Sequence, residues 1–223
     1  VHAIEEGRAV YTNIRKFVTY VLASNVPEIV PYLGFGLSSM PLALTIPQIL
    51  AVDLGTDMVP ALALAAEPPE GGVMDDPPRP RTERLLSWDV ILRAYAFLGL
   101  IEAGIAMGGF FLYLYSQGWS WGVPLDWNSS LYKEATTVTF VGIVAAQVAN
   151  VFACRSDRIS AFRLGWFSNP LILVGVAVEL TILLVMTYSP VGHLVLGTAS
   201  LPAWIFGPLA LGAIGLLLAD DLQ

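Results

Sequence analysis

Charge is scarce in this sequence. Only 13 % of its 223 residues are Asp, Glu, Lys or Arg, against about a quarter in a typical soluble domain. Apolar residues take their place at 56 %, with a mean hydropathy of +0.68, so water is not the main solvent of this chain. Basic residues are scarcer still, 11 Lys and Arg against 18 Asp and Glu. That leaves no positive stripe for a phosphate backbone and excludes a nucleic-acid partner. One cysteine, Cys154, excludes an internal disulfide, and with no Cys or His cluster around it a soft-metal site is excluded too. The two histidines, His2 and His193, fall at the start and in an interhelical loop, where neither serves as a ligand within a membrane.

What is present is long apolar runs. A bilayer core of about 30 Å is crossed by about 20 apolar residues in a helix, and six such segments follow one another at 17–37, 43–64, 90–115, 135–153, 169–188 and 201–219. None shows the ten-residue alternation of a membrane barrel. The sequence therefore predicts an all-α, six-helix polytopic transmembrane bundle.

Six crossings put Arg8, Arg15, Lys16, Arg79, Arg81, Arg84, Arg93, Arg155, Arg158 and Arg163 on one side and only Lys133 on the other. By the positive-inside rule both termini, the 65–89 loop and the 154–168 loop are cytoplasmic. Trp119, Trp121 and Trp127 are expected in an aromatic belt at the opposite interface, where Asn128-Ser129-Ser130 also forms a glycosylation sequon. The opening stretch VHAIEEGRAVYTNIRKF lacks the layout of a signal peptide. It reads as the interior of something longer.

The most informative residues are the acids inside the apolar runs: Glu28, Asp53, Asp57, Glu102 and Glu179. Each ionised carboxylate costs about 2.5–3.5 kcal/mol at a helix centre on insertion scales, unless it faces protein, water or an ion. Asp53 and Asp57, four residues apart, are expected on one helix face. There they either share a cation or hold protons and bond to neighbouring helices. In Ser24-Asn25-Val26-Pro27-Glu28 the proline cannot donate to the carbonyl of Ala23, so the helix should break beside its polar side chains and free backbone carbonyls as hard oxygen ligands. Gly55 and Pro60 loosen the second run in the same way, and Thr56 adds a hydroxyl. All the candidate donors are oxygen, which suits sodium, potassium, calcium or magnesium and disfavours copper or zinc. Glu102 is read as structural, and Gly104-xxx-Gly108 as a small-residue packing face.

Three stretches, EEGRAVYTNIRKFVTYVLASNVPEI, VDLGTDMVPALALAAEPPE and RPRTERLLSWDVILRAY, resemble the carboxy-terminal membrane half of a P-type cation-transporting ATPase, of the class that includes the sodium/potassium and calcium pumps. The resemblance implies that residues 1–16 are a cytoplasmic stalk leading from a phosphorylation domain and 17–223 the six-span transmembrane domain. It matches Ser24, Asn25 and Glu28 to cation ligands on the family's fifth membrane helix, and Asp53, Thr56 and Asp57 to those on its sixth. Asp-Leu-Gly-Thr-Asp is similar to the sodium/potassium type, whereas calcium pumps carry Asn at the position of Asp53. Ser24 departs from the lysine of the gastric proton pump. Gln147, Asn150 and Glu179 are implied as a secondary ion path, although Asn150 stands where Asp or Glu is usual, and Glu179 could equally be neutral and bonded to the next helix.

The family's DKTGT, TGE and GDGxND motifs do not occur here. Mg-ATP would thus be handled only through cytoplasmic domains outside these residues. The glutamate that the family supplies from its fourth membrane helix is also outside them, so the ion site is expected to be incomplete. The implied partners are the amino-terminal half of the same pump and the lipid bilayer, in the plasma membrane, with sodium, potassium or calcium as the transported cation and a monovalent ion favoured. The competing reading is a free-standing secondary transporter or regulatory membrane subunit, and the sequence shows none of the inverted internal symmetry that would support a transporter of that kind.

Overall fold

The computed structural model of the chain describes residues 2–69, 74, 84–156, 159 and 161–222. These are helical and loop, and no strand occurs among them. Seven elements carry the architecture: α1 (His2–Ser24), α2 (Val26–Leu37), α3 (Ile46–Ala65), α4 (Trp88–Ser116), α5 (Ser130–Ala153), α6 (Pro170–Tyr188) and α7 (Ala203–Asp221). The last five are long and apolar enough to cross a membrane, so the chain is an all-helical, multi-pass membrane domain. The remaining predicted crossing, 17–37, is not one continuous helix: it is divided at Asn25 between the end of α1 and the 12-residue α2. Of the basic residues used to orient the chain, Arg79, Arg81 and Arg158 lie outside the described residues, as does most of the 65–89 loop.

Local chemistry sets the helix ends. Ser129 Oγ accepts from the Tyr132 amide at 3.2 Å, which starts α5 five residues before the predicted boundary, because a capped polar turn extends the helix beyond its apolar stretch. At α6 the Asn169 side chain accepts from the Leu171 amide at 3.0 Å, with Pro170 in the first turn where no amide donor is needed.

The most enclosed helix is α5, packed between α4 and α7. Its buried threonines stay satisfied by bonding back to their own helix: Thr137 Oγ1 donates to the Lys133 carbonyl at 2.6 Å and Thr136 Oγ1 to the same carbonyl at 3.1 Å. A Cβ on Gly142 would stand 3.0 Å from Ala106 Cα, and one on Gly175 would stand 3.1 Å from Pro60 Cα. These glycines let α4 meet α5 and α3 meet α6 at backbone distance. The expected Gly104–Gly108 face does not pack: both glycines are exposed, and a Cβ on either would meet nothing within 4 Å. Close approach in α4 is made one residue round the helix, at Gly109, where Leu209 fills the space.

At one end of the bundle Phe111, Tyr115, Trp119 and Trp121 stack and tilt against one another. Trp121 and Trp127 are exposed, as an interfacial belt requires, but Trp119 is only 6 % exposed and donates its indole N–H to the Val123 carbonyl at 2.8 Å. It closes the core there and is not part of a belt.

The apolar interior falls into two clusters. One contains Val52, Ala106, Phe110, Val144, Leu183 and Leu209, the other Tyr20, Ala61, Leu98, Ala149, Ile172 and Leu216. Between the two, at the same level of the bundle, α3 places Thr56 and Asp57, α4 Glu102, α5 Gln147 and α6 Glu179, all buried. A polar layer therefore crosses the middle of an apolar bundle.

Candidate functional site

The polar layer opens where two helices lose their regular hydrogen bonding. Pro27, in the first turn of α2, has no amide hydrogen to return to α1, and the helix is interrupted at Asn25. The strain is relieved locally: Asn25 Nδ2 donates to the Val21 carbonyl at 2.8 Å, and Ser24 Oγ donates to the same carbonyl at 3.2 Å. The carbonyl these side chains cap is that of Val21, two residues before the Ala23 carbonyl to which Pro27 cannot donate.

In α3 the irregularity takes another form. Residues Val52–Thr56 make a wide π turn, closed by the Asp57 amide donating to the Val52 carbonyl at 3.0 Å. Pro60 favours it, since it cannot return a bond to the preceding turn. Single π turns concentrate at functional positions in helices. Thr56 Oγ1 donates to the Val52 carbonyl at 3.0 Å and keeps its acceptor lone pairs.

This wide turn changes how the two aspartates sit. They do not share one environment, as a regular four-residue spacing predicts. Asp53 is exposed on the open side of the bundle, while Asp57 is buried at 7 % exposure. Asp57 Oδ1 accepts from the Tyr20 hydroxyl at 3.1 Å, and Ser24 lies beside the same carboxyl. Asp53 instead faces Glu28 across the gap between α2 and α3, the two carboxyl groups being close enough to act on each other. Glu28 is buried at 6 % exposure with Oε1 unpartnered. Two carboxyl groups brought this close, one of them buried, favour a proton or a cation between them. Among the described residues no three Asp, Glu, His or Cys side chains converge closely enough to hold a metal ion by themselves.

Ser24, Asn25, Glu28, Asp53, Thr56 and Asp57 therefore gather along one α1–α2–α3 seam, with Asn25 and Thr56 engaged with their own helices. Gln147, Asn150 and Glu179 lie deeper. Gln147 and Glu179 are fully buried with both side-chain polar atoms unpartnered, whereas Asn150 accepts from Cys154 Sγ at 3.2 Å through Oδ1.

Three features escaped the sequence reading. Tyr20, which holds Asp57, stands four residues before Ser24 and so on the same helix face, a spacing that could have disclosed it. Glu102, read as structural, is a fully buried carboxyl in the polar layer. The third is an ion pair at one edge of the bundle. Arg155 donates from Nε at 3.1 Å and from Nη2 at 2.6 Å to Glu67 Oε1, and Asn169 Nδ2 donates to Glu67 Oε2 at 2.6 Å. Asn13 Nδ2 donates to the Glu67 backbone carbonyl at 2.6 Å. This knot ties α1, the segment after α3, the segment after α5 and the start of α6 together.

Comparison with known proteins agrees with this architecture. Residues 41–223 match the family described as cation transporting ATPase, C-terminus. The chain is 34 % identical over 235 residues to the sodium/potassium-transporting ATPase subunit alpha-3 of Homo sapiens and to the corresponding alpha subunit of Tetronarce californica, in each case over 92 % of this chain. It is 36 % identical over 218 residues to the alpha-2 subunit of Gallus gallus, over 85 % of this chain. The chain spans 23 % of the length of the first two relatives and 21 % of the third. A multi-pass helical domain with acidic residues at two interrupted helices, matched over most of its length, belongs to the carboxy-terminal membrane region of the P-type cation-transporting ATPases.

Proposed function

We propose that this chain is the cation-binding and translocating membrane domain of an ATP-driven pump of the sodium/potassium type. The observation that carries the reading is the meeting of Glu28 and Asp53 across two helices that are both irregular at that level, with Asp57 held one turn away by Tyr20. Glu28, Asp53 and Asp57 are the charged ligands in this reading. Ser24, Asn25 and Thr56 supply neutral oxygens, and Gln147, Asn150 and Glu179 form a secondary path. Oxygen donors alone, few in number, suit a monovalent hard cation, and the relatives named above are sodium/potassium pumps.

In this proposal α1 from residue 17 and α2 together make the first of six crossings, both termini are cytoplasmic, and residues 1–16 are the stalk. An amino-terminal half of the same pump, in the plasma membrane, handles Mg-ATP through an aspartyl-phosphate intermediate. It also covers the side on which Asp53 is exposed. Motion of the stalk shifts Ser24, Asn25 and Glu28 relative to Asp53 and Asp57, so phosphorylation and ion affinity are coupled reciprocally.

The test is ATPase activity of the full-length pump across an ion panel, with Glu28→Gln and Asp57→Asn. Both variants should need at least about tenfold more sodium or potassium for half-activation. Unchanged ion dependence in both would remove the proposed site.

A further inference from the structure

Away from the polar layer, another pair of enclosed polar atoms lacks partners, one in the second half of α2 and one in the first turn of α5. Tyr32 stands four residues after Glu28, one turn further along the same face of α2. Its hydroxyl is shut off from solvent and has no hydrogen-bond partner. Tyr132 on α5 is only 4 % exposed, and its hydroxyl is equally without a partner. Buried tyrosine hydroxyls usually find one, and orphaned polar atoms in a native interior call for an occupant.

The two hydroxyls belong together. Tyr32 is close enough to act on Tyr132, and Glu28 close enough to act on Tyr32. A chain of rings fixes the arrangement: Phe35, three residues beyond Tyr32, meets Trp127 edge-on at 6.3 Å, and Trp127 tilts against Tyr132 at 5.8 Å. One turn further along α5, Thr136 accepts from Gln48 Nε2 at 3.4 Å, which brings the first turn of α3 to the same place. Phe35 and Trp127 are exposed, whereas Tyr132 and Glu28 are buried. Positions 35, 32 and 28 of α2 thus lead from a surface ring, past an orphaned hydroxyl, to the buried carboxyl. Two phenol oxygens are hard donors with lone pairs to offer a cation. Being neutral, they hold it weakly, as a stage on a path of passage must.

We propose that Tyr32 and Tyr132 form a transient site for a partly dehydrated monovalent hard cation, between the outer surface and Glu28. The inference rests on the reading of this domain as cation-translocating with cytoplasmic termini, which puts the start of α5 on the outer side. It assigns the first turn of α5 a part in ion passage, by way of a hydroxyl on a different helix from any of the carboxylates.

The test uses the full-length pump in sealed proteoliposomes, where the ions at the two faces are set separately, with rubidium outside and sodium on the cytoplasmic face. Tyr32→Phe and Tyr132→Phe keep the rings and delete only the hydroxyls, and thermal unfolding in detergent checks that the fold survives. Each should raise the rubidium needed for half-activation at the outer face by about tenfold, while half-activation by cytoplasmic sodium stays as in wild type. The double variant should lose about as much as either single one, because both oxygens serve one ion. Should one variant fail to fold, the other decides alone. Unchanged rubidium activation, losses that multiply in the double variant, or an equal shift at both faces, as a merely structural role would give, overturns the proposal. Glu28→Gln and Asp57→Asn separate the two levels of inference. If they shift ion activation while the tyrosine variants do not, only the outer site falls; if both behave as wild type at each face, the proposed function falls.

Discussion

Removal of the Glu67 side chain is the sharpest test of the packing argument. In the native domain the Arg155 side chain is 1 % exposed and that of Glu67 is 5 % exposed. Glu67→Ala takes away both bonds from Arg155 to Oε1 and the bond from Asn169 to Oε2. The guanidinium keeps the Gly165 carbonyl, at 2.9 Å, and the Ser168 hydroxyl. It remains a buried cation without its counter-charge, a condition that costs about 3–5 kcal/mol. At about 2–4 °C per kcal/mol for a domain of this size, the melting temperature should fall by about 6–20 °C. Asn13 should hold its place, because it bonds to the backbone of Glu67 and not to its carboxylate. The double variant Glu67→Leu with Arg155→Met removes both charges and leaves apolar side chains, so it should recover most of the loss. Thermal unfolding of the purified protein in detergent measures both. A Glu67→Ala protein that melts within about 2 °C of wild type, or a double variant no more stable than the single one, would refute the reasoning.

Two further outcomes follow from the geometry. Tyr20→Phe deletes the hydroxyl that donates to the buried Asp57 at 3.1 Å; a hydrogen bond to a charged group is worth about 1.5–3 kcal/mol, so cation affinity measured on the full-length pump should fall by about tenfold or more, and an unchanged affinity would show that this bond does not position Asp57. Gly175→Val should destabilise the domain by about 1–3 kcal/mol, because the new side chain meets the backbone of Pro60, whereas Gly104→Leu should leave its melting temperature unchanged, since that position faces open space.

Most of the architecture was legible because a bilayer makes demands that a sequence cannot conceal. Apolar length marked the crossings, and proline inside an apolar run marked the break at Asn25. The acids at 28, 53 and 57 stood out for the same reason: nothing else in those runs is charged. What escaped depends on the third dimension. The wide turn at 52–56 cannot be counted from a regular period, so the separate surroundings of Asp53 and Asp57 were hidden. Gly104 and Gly108 have the spacing of a packing motif, but spacing does not say which side of α4 meets α5, and the contact falls on Gly109 and Ala106. Trp119 looks like its two neighbours in sequence, and only the fold shows that it points inward. The polar layer around Glu102 was hidden because Gln147, Asn150 and Glu179 come from other helices.

The wide turn in α3 also has a dynamic meaning. It stores one residue more than a regular helical turn, and each residue of an α-helix accounts for about 100° of rotation and 1.5 Å of rise. Expelling that residue would swivel Asp53 against Asp57 by roughly that angle and slide it by roughly that distance, with no need to unfold either half of the helix. A defect of this kind can travel along its helix one peptide at a time, which makes it a ready dial for exchanging one arrangement of carboxylates for another.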